Sequence, residues 1–133
     1  MVKRLIKLIN PSIHHVLFEC NYYEVPNGWK KTFFRKLLFE LVWYLLIHNI
    51  RDYRIYQVKE KFGSLRWYDN DLDINQKIIL PYVDESYFRC VNCGALTPYK
   101  TTEWIVPMCR SCATKYSKLI SYDSDFKKYY PSM

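Results

Sequence analysis

Four of the five cysteines fall into two pairs whose spacing is typical of a metal site. They are Cys90, Cys93, Cys109 and Cys112. Two residues separate the members of each pair, so both thiolates can reach one ion from a tight turn, and the 15 residues between the pairs bring the second pair back to complete a tetrahedron. Gly94 follows the first pair, where a positive φ lets backbone N–H groups turn toward the sulfurs. The pattern therefore predicts one Zn²⁺ held by four thiolates.

Two other interpretations of these cysteines stay open. Two disulfides would fit an oxidising compartment, but nothing in the sequence indicates export. A redox C-x-x-C pair is the other alternative, although redox motifs rarely come as two pairs at this spacing. If the ion is bound, four thiolates close its coordination sphere and leave no position for water or substrate, so we expect a structural rather than a catalytic site.

The remaining side chains that could do chemistry show no catalytic pattern. Cys20 has no motif around it and is expected to be an ordinary buried or half-buried thiol. His14 and His15 are adjacent, so they point in different directions and make a poor chelating pair. Neighbouring carboxylates lack the spacing that acid–base chemistry requires, and the 3 glycines cannot build a phosphate-binding loop. The sequence therefore predicts no enzymatic activity.

Composition indicates a small basic domain with an unusual share of aromatic residues. The chain has 133 residues, of which 50% are hydrophobic and 18% aromatic, and its net charge is +7. Its longest nearly apolar stretch, residues 37–47, contains Glu40 and is too short to span a bilayer. The first residues show no signal-peptide pattern. We expect a soluble cytoplasmic protein with no membrane partner and no evident small-molecule substrate.

The best predicted elements are one long helix and one hairpin. Apolar residues recur every three to four positions over about residues 29–49. Residues 41–47 are apolar all round, so we expect that half to be buried on most sides, with a partner-binding helix as the alternative. Strands over 53–59 and 64–68 predict a hairpin within residues 53–68, with Gly63 in a left-handed conformation. Leu65 and Trp67 should face the core, and Arg66 and Tyr68 the opposite side.

The fold class follows as α+β, with a helical and β-hairpin core and a four-cysteine zinc site near the C-terminus. We expect residues 1–88 to form the core, 89–122 a zinc-binding module and 123–133 a mobile tail. A helix over 75–89, interrupted at Pro81, should lead into the first cysteine pair. A strand over 104–106 and a helix over 109–120 should follow, which is the order of a treble clef, with a zinc ribbon as second choice.

The placed motifs resemble a family of small uncharacterised bacterial and phage zinc-binding proteins. Its members share a Gly-Trp pair, a KEKFGxLRxY segment and a CxxCG…CxxC motif. The matching residues are Gly28, Trp29, Lys59 to Gly63, Leu65, Arg66, Tyr68, Ser86, Cys90, Cys93, Gly94, Trp104, Cys109 and Cys112. The resemblance covers about residues 28–112. It implies a phage or mobile-element origin and supplies no activity.

Two kinds of partner fit these features. A small domain that is crosslinked by the predicted zinc site and rich in Tyr, Trp and Arg has the residue types that anchor protein interfaces. The first hypothesis is therefore a module that binds a host or viral protein complex. The second is nucleic-acid binding, because the hairpin interleaves charge with rings as single-strand binders do. Under either hypothesis, the candidate surface consists of Lys59, Glu60, Lys61, Arg66 and Tyr68.

Overall fold

The computed structural model describes all 133 residues and begins with three helices. They are α1 (Val2–Ile9), α2 (residues 11–19) and α3 (residues 27–47). The Asn10 side chain caps α2 by accepting a hydrogen bond from the Ile13 N–H at 3.1 Å. The long predicted helix is thus confirmed as α3, which begins after Pro26 and ends before Asn49, a residue with a φ of 48°. No helix combines the length and apolar content needed to cross a membrane.

An antiparallel hairpin follows α3, as predicted. Strand β1 (Ile55–Lys61) pairs with β2 (Ser64–Asp69). Phe62 and Gly63 form the two-residue turn with φ values of 54° and 83°, and two positive values in succession match the twist that a hairpin requires. The predicted connection was four residues long. Because the real turn is tighter, β1 runs on to Lys61.

Helix α4 spans residues 72–86 and passes through Pro81 without a break. It begins before the predicted start because the Asp71 side chain accepts a hydrogen bond from the Ile74 N–H at 3.0 Å. A wide π-helical turn over Asn75–Ile79 comes next, and Pro81 then lies in the first turn of Leu80–Ser86, where proline is tolerated. The predicted interruption is therefore wrong.

The main core is a cluster of 17 buried residues between α2, α3, the hairpin and α4. Leu37, Leu41 and Leu45 recur every four residues on the inner side of α3, and all three are fully buried. Leu65 and Trp67 reach the same core from β2, which confirms the predicted facing of that strand.

The expectation that the second half of α3 is buried on most sides is wrong. Phe39, Trp43 and Ile47 recur every four residues and are 72%, 56% and 55% exposed. Helices α2 and α4 pack against this half of α3 and leave the side opposite the leucines uncovered, so an apolar stripe stays on the surface. A helix that is apolar on all sides does not indicate by itself how many of those sides other elements will cover.

The cysteine-bearing part is built from short elements. Strands β3 (Tyr99–Thr101) and β4 (Ile120–Tyr122) form a two-stranded antiparallel sheet, and α5 (Arg110–Lys115) lies between them in sequence. The predicted strand over 104–106 is wrong. Those residues belong to a protruding loop, because the Thr101 side chain accepts a hydrogen bond from the Val106 N–H at 3.0 Å and folds the arm back on itself.

The C-terminal tail, expected from sequence to be mobile, packs against the protein in the structure. Helix α6 (Phe126–Tyr129) places Phe126 with its ring centroid 5.4 Å from that of Phe88, and Phe126 is buried. Tyr129 and Tyr130 also pack on Phe88, with centroids 5.4 Å and 6.0 Å away. The expectation of mobility followed from the position of this segment at a chain end, whereas its aromatic rings pack on Phe88 and hold it in place.

Lys100 is a nearly buried cation that faces this aromatic cluster. Its Nζ donates to the Tyr87 carbonyl, lies 4.2 Å from the Phe88 ring centroid and is 3.8 Å from Asp123 Oδ2. Burial lowers the pKa of the Lys100 ammonium to about 8, although Asp123 acts in the opposite direction.

We therefore expect the Lys100→Met variant to differ from the wild type in a pH-dependent way. Because the native pKa lies below the unfolded value of about 10.4, the unfolded wild type holds more protons above pH 8, and wild-type stability rises with pH in that window. The unfolding free energy of the variant minus that of the wild type should fall by roughly 1.4 kcal/mol per pH unit between about pH 8 and 10. Urea unfolding at several pH values measures the difference, and a constant difference would contradict the shifted pKa.

Candidate metal centre

The four paired cysteines meet at one point of the structure. Their sulfur atoms all lie within 4.8 Å of one another, and Cys93 Sγ is 3.6 Å from Cys109 Sγ. No disulfide joins them. Sulfurs that share a tetrahedral ion at bonds of about 2.3 Å are about 3.8 Å apart, so the cluster has dimensions that fit such an ion. The four cysteines thus form a group that can hold a metal ion.

Each pair is held by local backbone geometry. In the first pair, the Gly94 N–H donates to the Cys90 carbonyl at 2.9 Å, and Gly94 has the positive φ of 82° that its position after the pair predicts. In the second pair, Cys109 caps α5, and its sulfur accepts a hydrogen bond from the Cys112 N–H at 3.4 Å. The predicted helix after Cys109 is therefore present but ends at Lys115.

The electrostatics of the cluster favour a bound cation. Burial opposes ionisation of the Cys90 thiol, but hydrogen bonds from the backbone at Cys109, Cys93 and Asn92 outweigh it and lower the pKa of Cys90 to about 7. Burial and the neighbouring sulfurs raise the pKa of Cys112 to about 12. A first thiolate thus forms readily, and its charge opposes the formation of others. A divalent ion removes that opposition because it stabilises every thiolate it binds.

Gly28 brings the N-terminus of α3 into direct contact with the first cysteine pair. Its N–H donates to the Val91 carbonyl at 2.8 Å. A Cβ at Gly28 would lie 2.1 Å from the Cys90 carbonyl oxygen, and a Cβ at Gly94 would lie 2.4 Å from the Gly28 carbonyl oxygen. The buried Trp29 adds a hydrogen bond from its ring Nε1 to a backbone carbonyl before the pair, at 2.8 Å. The cysteine cluster therefore packs directly against the N-terminus of α3.

The third glycine, Gly63, makes a similarly close backbone contact with the protruding loop at residues 104–106, which we call the arm loop. A Cβ at Gly63 would lie 3.0 Å from the Ile105 carbonyl oxygen, so the hairpin turn touches the protruding arm loop. Ser86 joins the hairpin to α4, because its Oγ accepts from the Leu65 N–H at 2.8 Å and donates to the Val83 carbonyl at 2.6 Å. Sequence reasoning predicted the left-handed conformation of Gly63, but it did not foresee the contact with Ile105 or the role of Ser86 in joining the hairpin to α4. The signal it missed is that glycine is rare in this chain and each one lies at a joint between elements.

The structure separates the predicted partner residues into two groups. Glu60 lies on the core-facing side of β1, and its carboxylate accepts a hydrogen bond from the Gly63 N–H at 2.9 Å, so it stabilises the turn. Lys59 stands opposite Arg66 on the outer side of the hairpin, and neither of these cations, nor Lys61, forms a salt bridge. Tyr68 shares that side and is half exposed.

Large apolar side chains surround the contact between the hairpin turn and the arm loop. Phe62 is 74% exposed, Trp104 76% and Ile105 56%. Together with Lys61 and Arg66 they form what we call the hairpin–arm surface. It joins a cationic strand face to an apolar tip, although its parts are more than 35 residues apart in sequence.

A thiol, an imidazole and a carboxylate also line up beside β1, which sequence reasoning did not foresee. Cys20 Sγ lies 3.3 Å from His15 Nε2, and His15 Nδ1 lies 3.1 Å from Glu19 Oε1. However, the Ile55 N–H donates to the same Nε2 at 2.9 Å, so the lone pair that would accept the thiol proton is already engaged. Burial also raises the pKa of Cys20. This arrangement therefore joins α2 to β1 and does not activate a nucleophile.

Comparison with known proteins returned no relative from which a function could be transferred. No family model, no curated protein and no solved structure matches the chain. The resemblance to the bacterial and phage family therefore stays a prediction. The geometry of the cysteine cluster and of the hairpin–arm surface is the basis for assigning a function.

Proposed function

We propose that the protein is a small zinc-stabilised binding module without catalytic chemistry of its own, which binds a protein complex of a host cell or virus. The hairpin–arm surface is the observation that carries this proposal. The resemblance supports a phage or mobile-element origin, and the four reduced thiols fit the cytoplasm of a bacterial host.

Zn²⁺ in a treble-clef-like site is the best fit to the cysteine cluster. An all-sulfur tetrahedral donor set selects soft metals and excludes Mg²⁺ and Ca²⁺, which prefer oxygen ligands. The turn at Cys90 and Cys93 is followed by a short strand and then by a helix that carries Cys109 at its cap and Cys112 in its first turn. When bound, the ion crosslinks the two turns, and the loop between them can then present Trp104.

The residue types of the hairpin–arm surface favour a protein partner. Trp and Arg are the side chains that most often dominate the binding energy of protein interfaces. Phe62, Trp104 and Ile105 are all more than half exposed, and monomeric soluble proteins rarely leave large contiguous apolar areas open. The exposed stripe of α3, which includes Trp43, offers further apolar area to a protein and none of the charge that a nucleic acid needs.

The charge of the hairpin indicates that the partner is acidic. Lys59 and Arg66 lie directly opposite each other across the strands, an arrangement of like charges that weakens a hairpin. The fold does not supply a carboxylate to relieve this repulsion. An acidic partner would relieve it on binding, so the same residues that cost the free protein some stability would strengthen the complex.

The test is recovery of partners from the native host, followed by affinity measurements with variants. Lys61→Ala with Arg66→Ala should weaken binding at least ten-fold, about 1.4 kcal/mol, and leave the thermal midpoint nearly unchanged because both side chains reach solvent. Trp104→Ala should weaken binding by a similar or larger factor. Lys127→Ala with Lys128→Ala removes the same charge from α6 and serves as the control. Unchanged affinity for every recovered partner in the first two variants would refute the proposal.

Nucleic-acid binding is the second candidate function, and the outer side of the hairpin favours it. Three cations there alternate with the exposed rings of Tyr68 and Phe62, which could stack on bases. Salt distinguishes the two functions. Affinity for a nucleic acid falls steeply as salt rises, and the effect of the Lys61/Arg66 double variant shrinks with it. At a protein interface with a buried arginine, the effect of the double variant persists at high salt.

A further inference from the structure

A cleft of about 730 Å³ opens between the loop that follows α2 and the first turns of α3. The buried ring of Phe34 and the half-buried ring of Tyr22 line it, and Tyr23, which is 86% exposed, stands at its edge. This volume lies within the range of small-molecule sites, about 300–1,000 Å³. The cleft shares no residue with the metal centre or with the hairpin–arm surface.

Three cations line the cleft without any partner of opposite charge. Lys30, Lys31 and Arg35 form no salt bridge in the structure. Lys31 and Arg35 are four residues apart in α3, a spacing at which like charges repel and weaken a helix. A bound anion would remove this repulsion.

The acidic side chain of the lining does not neutralise these cations. Glu19 is turned toward other groups, with Oε1 lying 3.1 Å from His15 Nδ1 and 3.7 Å from Arg54 Nη1. Its other oxygen, Oε2, lies 3.5 Å from His14 Nδ1. The Glu19 carboxylate therefore pairs with groups of α2 and with a residue just before β1 rather than with the cations of the cleft. The cleft keeps an excess of positive charge beside its aromatic side chains.

We propose that this cleft binds a small anion that carries a planar ring, of the nucleoside monophosphate class. Lys30, Lys31 and Arg35 contact the phosphate through charge-assisted hydrogen bonds, the rings of Tyr22 and Tyr23 contact the base, and the buried Phe34 supports the Tyr22 ring from within the core. The sequence alone gives no sign of such a site, because the cations and Tyr23 come from separate segments that only the packing of the loop on α3 brings together.

Calorimetric titration of the full-length protein with adenosine 5′-monophosphate tests this proposal. We expect saturable binding to the wild type, and binding at least ten-fold weaker in Lys31→Ala with Arg35→Ala, whose side chains are exposed and not needed for folding. The matched control is Lys36→Ala with Lys127→Ala, which removes two exposed cations outside the cleft and should bind as the wild type does. Adenosine and inorganic phosphate, each lacking half of the proposed ligand, should both bind at least ten-fold more weakly.

Three results would overturn the proposal. The first is the absence of saturable binding of adenosine 5′-monophosphate at millimolar concentration. The second is equal binding of adenosine or of inorganic phosphate, since the site would then not require both halves of the ligand. The third is an equal loss in the Lys36/Lys127 control, which would assign the binding to the overall charge of the protein. Because none of these residues contributes to the hairpin–arm surface, the outcome is independent of the proposed partner binding.

Discussion

Replacing Cys93 with serine should abolish metal binding and unfold residues 89–122, while the main core stays folded. The core around the cysteine pairs contains only three buried hydrophobic residues, Cys90, Met108 and Ala113, which is too few to hold this segment together. A structural Zn²⁺ supplies about 10 kcal/mol or more of folding free energy in small domains, so its loss cannot be compensated. The cluster of 17 residues between α2, α3, the hairpin and α4 does not depend on the ion.

Metal analysis and amide NMR spectra would check this expectation. The wild type should contain one equivalent of Zn²⁺, and the variant should lose the dispersed signals of residues 89–122 but keep those of α3 and β2. Cys20→Ser makes the same chemical change outside the cluster and should retain the full equivalent. Less than half an equivalent in the wild type, or oxidation of Cys90 with Cys93, would rule out the metal centre.

The second large effect is expected from a single methyl group at Gly28. A Cβ there would lie 2.1 Å from the Cys90 carbonyl oxygen, 2.7 Å from Gly94 N and 2.8 Å from the Val91 carbonyl carbon. All three neighbours are backbone atoms, so no side chain can rotate to make room, and the cysteine turn must move away from α3. That movement breaks the hydrogen bond from the Gly28 N–H and the one from the Trp29 ring.

We therefore expect Gly28→Ala to lower the free energy of unfolding by about 3 kcal/mol or more, because overpacking alone costs about 1–3 kcal/mol and each lost buried hydrogen bond adds about 1. Denaturant unfolding of the metal-loaded protein measures it. Asn27→Ala, at the exposed neighbouring position, should change stability by less than about 0.5 kcal/mol. A Gly28→Ala variant as stable as this control would mean that the cysteine cluster does not pack directly against α3.

Much of the candidate site could be predicted from the sequence because it depends on local spacing. Two residues between cysteines, a glycine after the first pair and a cap at Cys109 fix each turn through its own backbone, whatever surrounds it. The alternation of Leu65 and Trp67 with outward residues likewise determines the facing of β2. The spacing did not show that the Glu60 carboxylate stabilises the hairpin turn, and the predicted strand at Trp104 is wrong because that residue lies in a loop.

The sequence by itself determined each of the two cysteine turns, the long helix α3 and the hairpin, because near neighbours in the chain suffice to form them. Tertiary structure decided which side of α3 is covered, what each glycine touches, and which distant residues share a surface. Phe39 and Leu37 are both apolar residues of one helix, yet only Leu37 belongs to the main core and is buried. Burial and close backbone approach depend on elements that are far apart in sequence, and no local pattern records where those elements will lie.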